Sequence, residues 1–249
     1  MNDHDEPADP HAATTRILRL LWDSPDRPPS KRGPKPKLEL DQIVRTAIDI
    51  ADTDGLAGIS MQRVADQLDV AVGSLYTYVP GKPALLAAML DTAVGWSTLP
   101  HELPGDWRQQ FEAWAREDWE DYRQHPWIIE LATTAPIVPG PNMMNWMESA
   151  LQVLAPTTLS AADKMAVVNA VDVYVRGTAR EAHAAARQPA PGTKEARDEF
   201  VGSRPLFERF PNIANVMAVD PTLFTTVNSE FGLQRLLDGI ELFIASQAK

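Results

Sequence analysis

The stretch "VAVGSLYTYVPGK", residues 70–82, sets Ser74, Tyr76, Thr77 and Tyr78 among apolar residues and then stops at Pro80, Gly81 and Lys82. Hydroxyls both donate and accept hydrogen bonds, so a helix face made of them can meet base edges or phosphates. A buried helix would have to satisfy each of them internally. Leu75 and Val79 lie four apart and mark a core side, which leaves Val72, Gly73, Ser74, Thr77 and Tyr78 on the other. Lys82 falls at the start of the following helix, where a positive charge opposes the helix dipole; its placement suits an anion better than helix stability. Just upstream, Ser60 and Gln62 add a hydroxyl and an amide that can pair with adenine. Further ahead, "KRGPKPK" (31–37) concentrates Lys31, Arg32, Lys35 and Lys37 in an extended arm that its prolines and glycine keep from being helical. A solvated linker is the plainer reading of that run.

Other chemistries find little support. Cysteine is absent, so disulfides, thiolate catalysis and cysteine zinc sites are excluded. His4, His11, His101, His125 and His183 never fall three or four apart, which leaves no local metal-binding pair. A phosphate loop needs four residues between its glycines and Ser or Thr after its lysine; here seven separate Gly73 from Gly81, and Pro83 follows Lys82. No G-x-S-x-G, H-E-x-x-H or G-x-G-x-x-G occurs. The expectation is therefore no catalytic residue, no metal, no cofactor and no enzyme.

The elements that must hold these residues read as helices. Ile43, Val44, Ala47, Ile48 and Ala51 form the stripe of an amphipathic helix, which Gly55 ends. Ser60 is an N-cap before a short helix turning Val64, Ala65 and Leu68 inward. After a tight connection, "AVGSLYTYV" reads as a nine-residue helix, and the pair forms a helix-turn-helix. Val79 before Pro80 leaves helical geometry, and Pro83 suits the first turn of the next helix. Residues 1–11 read as disordered. Residues 13–22, "ATTRILRLLW", could make a short helix that either frays or docks on the body.

The formal charge of −11 divides unevenly. Residues 1–30 hold 3 basic and 6 acidic side chains, residues 31–82 hold 7 and 7, and residues 83–249 hold 13 and 21. With a neutral reading module, affinity for a polyanion must draw on the basic arm. Neither a spanning segment nor a basic leader stands out, so a soluble cytoplasmic protein is expected.

The continuous run from Leu40 to Asp91, with its "GIS" before the second helix and "LYTYVPGKPALL" across the third and fourth, resembles the DNA-binding segment of the TetR family of transcriptional repressors. Residues 106–151 and "VYVRGTAREA" resemble, more loosely, the ligand-binding and dimerisation domain of the tetracycline-repressor-like branch. The resemblance implies an all-α chain: an N-terminal extension over 1–37, a helix-turn-helix domain over 38–84, and an effector-binding and dimerisation domain over 85–249. It implies that Val72, Gly73, Ser74, Thr77 and Tyr78 face DNA, that Tyr76 and Lys82 lie against phosphates, and that Gln62 reads a base. Either tyrosine could instead seal the small core, Tyr76 more readily because it adjoins Leu75. It also places Glu130 and Glu181 near positions that hold a metal-chelated drug. Glu130 stands where that branch has histidine, which argues against tetracycline–magnesium.

Six of the seven tryptophans fall between Trp96 and Trp146. Trp107, Phe111 and Trp114 share one helix face, a stripe better suited to core packing than to a ligand cage. The break at 133–147, "TTAPIVPGPNMMNWM", is the adaptable wall an apolar or aromatic effector could use. Trp114, Trp127, Glu130, Met143, Met144, Trp146, Asp172 and Glu181 are the candidate effector-binding residues. Met165, Val168, Asp172, Val175, Ala179 and Ala182 line one long helix, and Leu233, Leu236, Leu237, Ile240, Phe243 and Ile244 a second. Such stripes suit a four-helix bundle across a two-fold axis, unless the intrachain core absorbs them. The reading is a ligand-responsive repressor that binds a pseudo-palindromic operator in double-stranded DNA as a homodimer. The alternative is an architectural DNA binder without an effector.

Overall fold

The computed structural model describes residues 9–23, 38–134, 138–186, 206–220 and 227–247, with isolated positions between 192 and 199. All regular structure among the described residues is helical: α1 (Pro10–Asp23), α2 (Leu40–Asp54), α3 (Met61–Gln67), α4 (Val72–Tyr76), α5 (Lys82–Val94), α6 (Trp107–Gln124), α7 (Pro126–Thr134), α8 (Pro141–Val153), α9 (Ala161–Ala186), α10 (Leu206–Arg209), α11 (Pro211–Val219) and α12 (Ser229–Gln247). None is long and apolar enough to cross a membrane. The basic arm at 31–37 lies outside the described residues.

Local signals explain the boundaries of the first helices. The Glu39 amide donates to Gln42 Oε1 at the start of α2, and Gly55 ends that helix at φ 68°, a conformation open to glycine. Ser60 Oγ accepts the Arg63 amide at 3.1 Å and caps α3. Asp69, the one described non-glycine residue at positive φ (52°), makes the turn into α4, helped by Val70 donating back to the Ala65 carbonyl at 3.0 Å. The helix expected over 71–79 is shorter, Val72–Tyr76. Thr77 caps it by bonding its hydroxyl to the Ser74 carbonyl at 2.7 Å, and Pro80 keeps Val79 out of helical geometry.

Two apolar cores result. The first joins α2, α3, α4 and α5 with Leu20 and Leu21 of α1 and with Trp127, Ile128 and Leu131 of α7. Residues 12–22 thus dock rather than fray: α1 packs on α5, and the Trp22 indole donates to the Pro139 carbonyl at 3.0 Å. Pro10 and His11, expected to be disordered, begin that helix. The second core joins Phe111, Trp114 and Ala115 of α6 with α8, α9 and α12. Tyr122 touches both. The expected domain boundary at residue 84 falls inside α5, which packs against α2 on one side and α8 on the other.

α5 and α8 are joined by more than apolar packing. Pro141 opens α8 without an amide hydrogen, and the next two amides, of Asn142 and Met143, donate to the Asp91 carboxylate at 3.3 and 3.0 Å. The Asn142 side chain returns a bond to the Asp91 carbonyl at 3.0 Å. A Cβ added at Gly140 would collide with that carboxylate, so the close approach needs glycine there. Burial raises the Asp91 carboxyl above the usual range, and the two amides oppose the shift.

Candidate functional site

In the helix-turn-helix, Leu75 and Val79 are wholly enclosed and fix the back of α4. Gly73, Ser74, Tyr76 and Thr77 are exposed on the other side, and Val72 and Tyr78 are half-buried, packed on the small core. Tyr76, expected against phosphates, is 53% exposed, while Tyr78, expected to face DNA, leans on the core, so the core-sealing alternative falls to Tyr78 and not to Tyr76. Past Tyr76 the chain has left the helix, so Tyr78 no longer follows the helical period. Gly73 has open space where a side chain would stand, which allows close approach of another surface.

Gln62 is exposed in the first turn of α3, where its amide donates to Asp66 Oδ1 at 2.7 Å. Ser60 is exposed, with its oxygen already engaged as the cap of α3. Lys82 does more than wait for an anion. It is half-buried, and its ammonium donates to the Ile59 carbonyl at 2.7 Å, bracing the start of α5 against the loop before α3. An ammonium has three protons, so this brace leaves donors over. Arg63 pairs with Asp54 and bonds the Gly58 carbonyl, which ties α3 to the end of α2.

The larger helical part contains a partly open cavity of about 320 Å³ between α5, α6, α7, α8 and α9. Of the expected effector-binding residues, Met143, Trp146 and Asp172 line it. Trp114 and Trp127 do not: each is buried in a core with its indole satisfied, Trp114 by Asp118 at 2.8 Å and Trp127 by Asp52 at 2.6 Å. Glu130, Met144 and Glu181 are exposed and face away from the space. The residues that sequence reasoning missed are polar: Ser97, Asp118, Asp121, Tyr122, Asn169 and Arg176. A signal for two of them was available. Asp118 and Tyr122 continue the Trp107–Phe111–Trp114 face at the same spacing, and a carboxylate on an apolar stripe marks a polar interior.

These polar groups sit in a strained electrostatic setting. Asp118 is held by the Trp114 indole, yet burial pushes its carboxyl well above the usual range, with the Asp172, Asp121 and Glu117 charges adding to the rise. Burial likewise raises Asp172, opposed by Arg176, whose guanidinium donates to it at 2.6 Å. The Tyr122 hydroxyl is pushed up by burial and by the neighbouring carboxylates. A second space of about 430 Å³ lies beyond Leu90 and Met143, which border both, and Lys82 and Asp91 are the charged residues along its wall with α1. The first combines apolar and aromatic walls with convergent polar groups, the character of a small-molecule site. Among the described residues, no group of three His, Asp or Glu side chains converges to hold a metal ion.

The outward sides of α9 and α12 carry apolar residues that the chain itself does not cover. The inward stripes are spent on the second core through Val168, Val175, Leu233, Leu237 and Ile240. Outside remain Val173 at 59% exposed, Leu242 at 73% and Phe243, with open space at Gly177 and Gly239.

Residues 99–244 match the family model described as tetracyclin repressor-like, C-terminal domain. Over 241 residues the chain is 39% identical to the HTH-type transcriptional repressor DrrR1 of Streptomyces coeruleorubidus, covering 93% of this chain and 87% of that protein. It is 34% identical over 178 residues to an HTH-type transcriptional regulator of Saccharopolyspora erythraea, covering 72% of this chain and 75% of that protein. Its fold is similar to that of apo ActR from Streptomyces coelicolor, with a TM-score of 0.71, 25% identity, and coverage of 87% of this chain and all of that one. It is also similar to ActR in complex with actinorhodin, with a TM-score of 0.68, 27% identity, and coverage of 83% and 97%.

Proposed function

The chain belongs to the TetR family of transcriptional regulators, and from that premise we propose that it is a repressor which leaves its operator when a small molecule enters the space between α5 and α9. It regulates by binding DNA and is not an enzyme. It works in the cytoplasm as a homodimer. The outward faces of α9 and α12, with Val173, Gly177, Gly239 and Leu242, pair with their copies across a two-fold axis. That arrangement presents two copies of α4 about 34 Å apart to successive major grooves of an inverted repeat. Ser74, Thr77 and Gln62 read base edges, Val72 packs on a methyl group, and Tyr76, Lys82 and the arm at 31–37 hold phosphates.

Transmission runs through α5. Its later residues Leu90, Ala93 and Val94 wall the 320 Å³ space, and its first residue braces the reading module through the Lys82–Ile59 bond. A ligand that displaces the wall of α5 also displaces the point from which α4 is held. Coupling of this kind is reciprocal: operator must weaken ligand binding by the factor by which ligand weakens operator binding. The observation that carries the reading is the pairing of an exposed hydroxyl face on α4 with a partly open polar-and-aromatic cavity reached by the helix that follows it.

Selection from random duplexes tests it. Inverted repeats bound by two protomers should emerge, and a Ser74→Ala, Thr77→Ala double variant should lose sequence preference with its helicity intact. A pool with no preferred sequence would favour the architectural alternative.

A further inference from the structure

The charges around the 320 Å³ space do not balance. Its charged lining residues are Asp118, Asp121, Asp172 and Arg176, three carboxylates against one guanidinium. Arg176 is committed to Asp172 at 2.6 Å. The donors to the other two are neutral: the Trp114 indole to Asp118 at 2.8 Å, and the Ser97 hydroxyl to Asp121 at 2.6 Å. Neither forms an ion pair with a cationic side chain among the described residues. A buried carboxylate such as Asp118 without a counter-cation carries a desolvation cost that a positive occupant relieves.

Resting on the reading of this space as the effector site, we infer that the effector is an organic cation, an alkylamine carried on an aromatic body that binds protonated with its ammonium against Asp118 and Asp121 and an oxygen acceptor toward Arg176. Three further observations bear on this class. No trio of His, Asp or Glu side chains that could hold a metal exists among the described residues, so a bare divalent ion lacks a ligand set. Trp146 and Tyr122 offer ring faces, and Met143 and Met147 thioethers, surfaces suited to an aromatic body and a neighbouring cation. The Arg176 Nε is enclosed and bonds to nothing in the described protein, a donor awaiting an acceptor oxygen.

Burial and the neighbouring acids raise the Asp118 carboxyl, so its charged form is the costlier one in the ligand-free site, and a cation placed beside it favours that form.

Isothermal titration of the full chain with 1-naphthylmethylamine, 1-naphthalenemethanol and 1-naphthoic acid separates the outcomes. The amine should bind at least about 10-fold more tightly than the alcohol, a difference of about 1.4 kcal/mol, and the acid more weakly than either. Asp118→Asn, with Asp121→Asn as a second variant, should bring amine and alcohol affinities together by weakening the amine about 10-fold. Equal binding of amine and alcohol by the parent, or tightest binding by the acid, overturns the cationic class and leaves the effector site standing. Failure of all three to bind overturns both.

Discussion

Removal of the Asp91 carboxylate is a direct measure of how firmly α8 is fixed to α5. Asp91 is 7% exposed and supplies the acceptor for two successive amides at the start of α8, at 3.3 and 3.0 Å. A capping interaction of this kind is worth about 1 kcal/mol, and each buried amide left without an acceptor costs about 1–3 kcal/mol. Part of that loss is returned, because burial already penalises the charged carboxylate and its removal ends the penalty. Asp91→Ala should therefore destabilise by about 2–3 kcal/mol, which lowers the melting temperature by about 4–12 °C in a chain of this size. Asp91→Asn keeps one acceptor oxygen but turns an NH2 toward the other amide, so it should cost about 1–2 kcal/mol, less than the alanine. Thermal unfolding followed by far-ultraviolet circular dichroism reads both. If the alanine variant melts within about 2 °C of the parent, the carboxylate does not hold α8 to α5.

Deleting residues 31–37 should weaken operator binding and flatten the logarithmic dependence of affinity on salt by about 0.9 for each phosphate that the arm no longer neutralises, measured by fluorescence anisotropy across a salt series. Asp118→Asn should raise the melting temperature of the ligand-free protein at pH 7. The sign follows from the raised carboxyl: folding favours its protonated form, so the folded state is penalised as pH climbs from the ordinary aspartate range toward the elevated value, and asparagine removes that penalty. The gain over the parent should shrink as the pH is lowered toward about 4; a gain that is constant with pH would assign it to packing.

The helix-turn-helix is legible in the sequence because its signals are local. Leu75 and Val79 at four-residue spacing, Ser60 as a cap and Gly55 as a stop each act within a turn of chain, and all appear in the structure in those roles. The division of the tyrosines is not legible, since α4 ends at Tyr76 and helical period assigns no side to Tyr78. Residues 13–22 announce an apolar face, but its partners, α5 and the Pro139 carbonyl, lie far along the chain. Tryptophan spacing separates core from surface correctly for Trp107, Phe111 and Trp114, yet it says nothing of where neighbouring helices diverge to leave a space. Trp127 reads from sequence as a ligand-binding residue because its hydrogen-bond partner, Asp52, sits in α2, a relation that no spacing rule encodes. The candidate site is therefore partly visible: Met143, Trp146 and Asp172 can be picked out, Asp118 is marked by its place on the apolar stripe of α6, and Asp121 looks like ordinary helix surface.

The docking of α1 has a practical corollary. Its tryptophan donates to the carbonyl two residues ahead of Pro141, so the leading helix is tied to the segment that opens α8, while its own body packs on α5. A version of the protein trimmed to begin at residue 38 would keep α3 and α4 whole and lose both ties. Fusions at the amino end require the same care, because what precedes the helix-turn-helix in the chain leans, in space, on helices that border the cavity.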